Sequence, residues 1–89
     1  MSRVCQMRLL RLEYDIALPE LARTVGVSPQ YFSGLELGEF TATRNAVRLV
    51  QIAFDRVLAE RRDKAGAMLA AYANCREQIL DFVEGCNGD

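Results

Sequence analysis

Hydrophobic positions recur in steps of three and four along most of this 89-residue chain, which is the period of an amphipathic helix. Val4, Met7, Leu10 and Tyr14 share one face and predict a first helix from about Ser2 or Arg3 to Tyr14, with Arg8 and Arg11 beside that face. Asp15 to Leu18 make a connection. Leu21, Ala22 and Val25 predict a second helix over about Pro19–Val25. Gly26 supplies the positive φ that ends it. Ser28 suits an N-cap and Pro29 the first helical position, so a third helix is expected from Pro29 to Leu37, with Phe32 and Leu35 inward and Gly38 at its close. Thr43 then caps a fourth helix whose inward positions are Ala46, Leu49, Val50, Ala53, Phe54, Val57 and Leu58.

The stretch Ala59 to Lys64 contains no large apolar residue. It is either a connection or the exposed waist of one long helix, and a separate fifth helix over about Lys64–Glu84 is expected. Its apolar positions Ala65, Met68, Tyr72, Cys75, Ile79, Phe82 and Cys86 form a heptad-like seam. Two uses of that seam compete. It either folds back onto its own core or pairs with a second copy, and a homodimer held by Met68, Tyr72, Ile79 and Phe82 is the expectation, because a small core needs additional burial. Gly85 to Asp89 should fray. With no sustained period-two alternation the fold class is all-α. The organisation is a unit over 1–62 and an amphipathic C-terminal helix over 63–89.

Composition narrows the function classes. The chain is 51% hydrophobic and has two prolines, enough for one small core. No apolar run approaches the roughly eighteen residues of a membrane span. The first residues are too charged for the apolar core of a signal peptide, so a soluble, cytoplasmic protein without membrane contact is expected. Cys5, Cys75 and Cys86 are far apart, there is no C-x-x-C, and histidine is absent. The cysteines therefore read as small, partly buried thiols, and neither a metal nor a cofactor is expected. Lacking His, a phosphate loop and any nucleophile with a base beside it, the chain does not read as an enzyme. Its net charge of −1 is divided unevenly. Residues 1–62 carry nine Arg against seven acidic residues, and residues 63–89 carry two basic residues against five acidic ones. A mildly basic front half is compatible with nucleic-acid binding.

The stretch Glu20 to Gly38 carries the functional signal. Two short helices joined by a Gly-containing turn can place the second helix in a DNA major groove. Arg11, Glu20-Leu21-Ala22, Gly26-Val27-Ser28, Tyr31-Phe32, Ser33 and Glu36-Leu37-Gly38 resemble the pattern of the Cro and phage-repressor (Xre-type) helix-turn-helix family over about residues 6–60. One unit of the AraC-type regulators is similar, but those need a second unit for which this chain has no room. The repressor resemblance implies a five-helix helix-turn-helix domain that binds double-stranded DNA and regulates transcription. It also implies that Arg11 pairs with Glu36, tying the first helix to the end of the recognition helix, a geometry that suits a planar guanidinium and a carboxylate.

By position in that family, Gln30 and Ser33 face base edges, with Tyr31 beside them, while Ser28 caps the recognition helix. Gln30 can contact adenine with two prongs. Thr43 and Arg44 are phosphate partners at the start of the fourth helix. The chain departs from the pattern in several places. Pro29 and Gly34 offer no side-chain hydrogen bond, no Lys or Arg lies between Pro29 and Leu37, and Ala17-Leu18 replaces a phosphate-holding cap and Gln. Leu18, Leu37 and Phe40 are apolar at positions expected to be exposed. These departures keep a second expectation open: a helix-turn-helix fold used as a protein-interaction adaptor or as an antagonist of another regulator.

Overall fold

The computed structural model describes residues 3–61 and 66–84. In chain order these form strand β1 (Arg3–Cys5), helices α1 (Gln6–Glu13), α2 (Leu18–Val25), α3 (Pro29–Glu36), α4 (Arg44–Glu60) and α5 (Gly66–Cys75), a 3-10 turn (Arg76–Gln78) and strand β2 (Phe82–Glu84). The protein is mostly helical, with a small sheet. Ala65 and Cys86 of the expected seam, and the expected frayed end, lie outside the described residues.

Helices α2, α3 and α4 follow the hydrophobic period closely. Leu21, Ala22, Phe32, Leu35, Ala46, Val50, Ala53, Phe54, Val57 and Leu58 are all buried in one core. Ser28 Oγ accepts from the Tyr31 N–H at 3.2 Å and Thr43 Oγ1 from the Ala46 N–H at 3.1 Å, so each hydroxyl satisfies an N–H that its helix leaves unpaired. Gly26 sits at φ 73°, and its N–H reaches back to the carbonyls of Ala22 and Arg23. A side chain there would be strained, which is why this turn carries glycine. Arg61 caps the far end of α4. Its Nε donates to Glu20 Oε2 at 3.1 Å and its Nη1 to the Tyr14 carbonyl at 3.3 Å, fastening α4 to α2 and to the α1–α2 connection.

The two chain ends depart from an all-α fold. Residues 3–5 do not begin the first helix, as the face through Val4 predicts. They pair antiparallel with β2 in the register Arg3↔Glu84, Val4↔Val83 and Cys5↔Phe82. Three-residue strands are too short to display alternation, and each needs its distant partner to exist at all. The pairing also completes α1. No side chain caps that helix. Instead its first N–H groups are taken by the far end of the chain, Gln6 N–H by the Asp81 carbonyl at 2.9 Å and Met7 N–H by the Ile79 carbonyl at 2.8 Å.

The fifth helix is correspondingly short. It stops at Cys75, and the chain turns so that Ile79 and Leu80 enter the core at 0% and 4% exposure. The seam expected to meet a second copy is used inside the chain. Met68, Tyr72 and Ile79 are buried there, and Phe82 is half-buried on β2 with its ring over Gly38. A dimer seam through these four residues is therefore not available, and the alternative, a tail folded onto its own core, is the observed one.

Tyr72 fastens α5 to α4. Its ring stacks on Phe54 at 5.4 Å, and its hydroxyl donates to Asp55 Oδ1 at 2.6 Å with the Gln51 carbonyl 2.9 Å away. Burial, and then the hydrogen bond to the Asp55 carboxylate, push the phenol well above its ordinary pKa. A raised pKa means that the folded state holds this proton more tightly than the unfolded state. The contribution to stability is complete below the unfolded value, near pH 10, and declines as pH rises above it. Tyr72→Phe should cost about 1 kcal/mol at neutral pH and should flatten the loss of stability between pH 9 and about 11. Urea melts at neutral and alkaline pH check both effects.

Candidate nucleic-acid interface

Helix α3 is held from behind by a buried ion pair. Glu36 is 2% exposed. Arg11 Nε donates to its Oε2 at 2.8 Å and Arg11 Nη2 to its Oε1 at 2.8 Å, a two-pronged contact, while Arg11 Nη1 donates to the Ile16 carbonyl at 3.1 Å. Arg8 joins from the surface, its Nη1 3.3 Å from Glu36 Oε1. Sequence reasoning missed that third member. Arg8 lies one turn before Arg11 on α1, and that spacing was the available signal. With nearly half of its side chain in solvent, Arg8 contributes little to stability.

The predicted site residues fall into two groups. Ser28, Gln30, Tyr31 and Ser33 lie on α3 and its cap. Gln30 is exposed, Tyr31 and Ser33 are half-buried, and the Ser28 oxygen is occupied as the cap acceptor. Thr43 and Arg44 lie at the start of α4. Both are exposed, and the Thr43 oxygen is likewise occupied by its cap bond. Each cap bond uses one of the two lone pairs of its hydroxyl, and the Ser28 and Thr43 protons are left to donate to a ligand oxygen. Arg44 has no acceptor among the described residues, and neither has Arg23 in the last turn of α2.

The surface beside α3 is aromatic. Phe40, in the α3–α4 connection, folds back over the helix and stacks on Tyr31 at 5.8 Å with 24° between the rings. Its ring lies against Gly34 so closely that a Cβ there would meet ring carbons at 2.3 and 2.5 Å. Gly34 is thus a packing position: the missing side chain is the seat of Phe40, and any larger residue displaces the ring. The Gly34 carbonyl also accepts from the Glu39 N–H at 2.8 Å, which fixes the connection. Phe40 remains 47% exposed and Leu37 55% exposed. Leu18, expected on the surface, is instead half-buried against the core, because α2 begins one residue earlier than its proline signal suggests.

Other chemistry is sparse. Cys5 is buried, its thiol donating to the Ile79 carbonyl at 3.6 Å, and Cys75 is half-buried. Burial pushes both thiols up in pKa, away from the reactive thiolate. Cys86 lies outside the described residues. Among the described residues no group of three His, Cys, Asp or Glu side chains is placed to hold a metal, and no helix is long and apolar enough to cross a membrane. Compared with protein-family models, with curated proteins and with solved structures, the chain matches none.

Proposed function

We propose that this protein is a small DNA-binding regulator of transcription, with α2 and α3 as its helix-turn-helix unit and α3 as the recognition helix. The observation that carries the reading is the mounting of α3. It begins at a Ser28 cap after the Gly26 turn, its back is clamped by Arg11 and Glu36, and its outer side offers the exposed Gln30 and the half-buried Ser33. Of these positions, Arg11, Gly26, Ser28, Ser33 and Glu36 are among those through which the sequence resembles the Cro and phage-repressor family. A helix clamped from behind, with Gln30 exposed in its first turn, is suited to presenting that turn to a major groove.

The roles divide by chemistry. Gln30 and Ser33 read bases, so substituting either should change the preferred sequence by about 1–3 kcal/mol per lost contact. Arg44 neutralises a phosphate, so Arg44→Ala should weaken all sequences alike and reduce the slope of log affinity against log salt by about one. Because α3 itself carries no basic residue, non-specific binding should be weak. Selection from a random duplex library, followed by a salt titration of wild type and Arg44→Ala, tests the reading. A library that enriches nothing, with residual binding indifferent to Arg44→Ala, would sink it.

One observation favours a second reading. Leu37, just past the end of α3, and Phe40, folded over Tyr31 and Gly34, leave apolar surface in water, and such surface suits a protein partner better than a phosphate backbone. Failure of the DNA selection transfers the proposal to that docking surface. A second copy, if one accompanies DNA binding, must be met by apolar residues other than the buried seam, of which Leu9, Leu12 and Leu69 are exposed.

A further inference from the structure

We propose that the groove between the first half of α4 and the turn after α5 is a phosphate-binding site. The groove has a volume of about 440 Å³. Three arginines reach it from two parts of the chain: Arg44 and Arg48, one turn apart on α4, and Arg76 in the 3-10 turn. Val47 and Ile52, both half-buried, supply an apolar wall.

What sets these arginines apart is that the fold does not use two of them. Elsewhere, Arg3 donates to the Phe82 carbonyl, Arg11 to Glu36, Arg56 to the Thr24 carbonyl and Arg61 to Glu20. Arg23, Arg44 and Arg48 have no acceptor among the described residues, and two of these three line the same groove. Like charges placed a turn apart on a helix repel and weaken it. An anion between them reverses the sign of that interaction.

The third arginine is already oriented. Arg76 Nη2 lies 3.1 Å from Asp55 Oδ2, its guanidinium sits 6.0 Å from the Tyr72 ring centre, and its backbone carbonyl accepts from Gln51 Nε2 at 2.9 Å. A guanidinium fixed in this way loses little freedom on binding. The groove also carries its own anion. Glu77 Oε2 is 3.5 Å from Arg76 Nη1, and the Glu77 side chain is 74% exposed, so it can swing into water when a stronger anion arrives. Once Glu77 has swung away, three guanidinium groups against Asp55 leave two positive charges in excess, which a phosphate dianion matches and a single carboxylate does not. Phosphate offers more acceptor oxygens and a second charge.

The phosphate has two possible sources, a small phosphoester or the backbone of a bound duplex, and the test separates them. Inorganic phosphate is titrated into the full-length, 15N-labelled chain at constant ionic strength while the arginine Nε–Hε signals are followed. The signals of Arg44, Arg48 and Arg76 should move together and saturate. That of Arg23, equally unpartnered but outside the groove, should barely move. Arg48→Gln should weaken phosphate binding by about fivefold and Glu77→Gln should strengthen it by about twofold. A surface without a site would not produce that pair of opposite effects. Titration without saturation, or Arg23 moving in parallel, overturns the proposal.

A short duplex of the sequence enriched in the library selection then assigns the source. If it moves the groove signals, the phosphate is that of the backbone. If it leaves them in place while inorganic phosphate saturates them, the ligand is a small phosphoester. Should the library selection enrich no duplex while phosphate still saturates the groove, the DNA reading fails and this site stands.

Discussion

Glu36→Ala should lower the unfolding free energy by about 3–5 kcal/mol, the range seen when one member of a buried ion pair is removed. The cost is high because the partner cannot follow its charge into water. Arg11 keeps only a tenth of its side-chain surface exposed, and its third donor is already used by the Ile16 carbonyl. Loss of the carboxylate would leave a guanidinium in a closed site with both prongs unsatisfied. Arg11→Ala should cost less than Glu36→Ala, since Arg8 lies within 3.3 Å of Glu36 and can take over part of its charge. Chemical denaturation of the two single mutants and the double mutant measures the coupling. If both single mutants melt with wild type, the pair does not hold α3 in place, and the mounting argument for DNA recognition loses its foundation.

Ending the chain at residue 63 should abolish cooperative folding rather than release a stable front unit. The truncation removes Met68, Tyr72, Ile79 and Leu80 from a shared core, all of them at least 96% buried. Burial of each large side chain contributes roughly 1.5–3 kcal/mol, so the loss approaches the whole stability of a domain this size. The damage is not only apolar. α1 loses the Ile79 and Asp81 carbonyls that satisfy its first N–H groups, and β1 loses its only partner strand among the described residues. Far-ultraviolet circular dichroism of the truncated chain should show little helix and no thermal transition. A folded fragment melting cooperatively would mean that 1–62 is an independent domain and that α5 and β2 are accessories.

The contrast between those two experiments separates what is local from what is not. Helices α2, α3 and α4 are legible because each signal lies within one or two turns of the residue it controls. Ser28 and Thr43 cap the helices they precede, Gly26 takes the one conformation its turn requires, and the three-and-four spacing from Ala46 to Leu58 places one face inward whatever lies opposite. Arg11 and Glu36 are 25 residues apart and became legible only through the family resemblance. Neither residue's neighbours announce the contact.

The ends of the chain could not be read in this way. The spacing from Met68 to Phe82 is helical, and a single long helix satisfies it. What ends α5 at Cys75 is the core, which takes Ile79 and Leu80 at positions an uninterrupted helix does not deliver together, and the unpaired N–H groups of α1, which need carbonyls. Strand β1 likewise exists because β2 does. The same holds at the candidate sites. Gly34 reads as an empty position in the recognition helix until Phe40 is seen resting on it, and Arg48 reads as the polar side of α4 until it is seen lining one groove with Arg44 and with Arg76 from the other end of the chain.

By itself, then, the sequence determined the central helices, their caps, the turn that joins α2 to α3 and the apolar faces that build the core, since all of these are set by interactions within a few residues. Only the tertiary structure decided where the first and last helices stop, that the tail closes its own core, and which arginines are left without a partner. Each of those depends on residues tens of positions apart competing for the same buried space or the same hydrogen-bonding groups, and a local pattern carries no record of who wins.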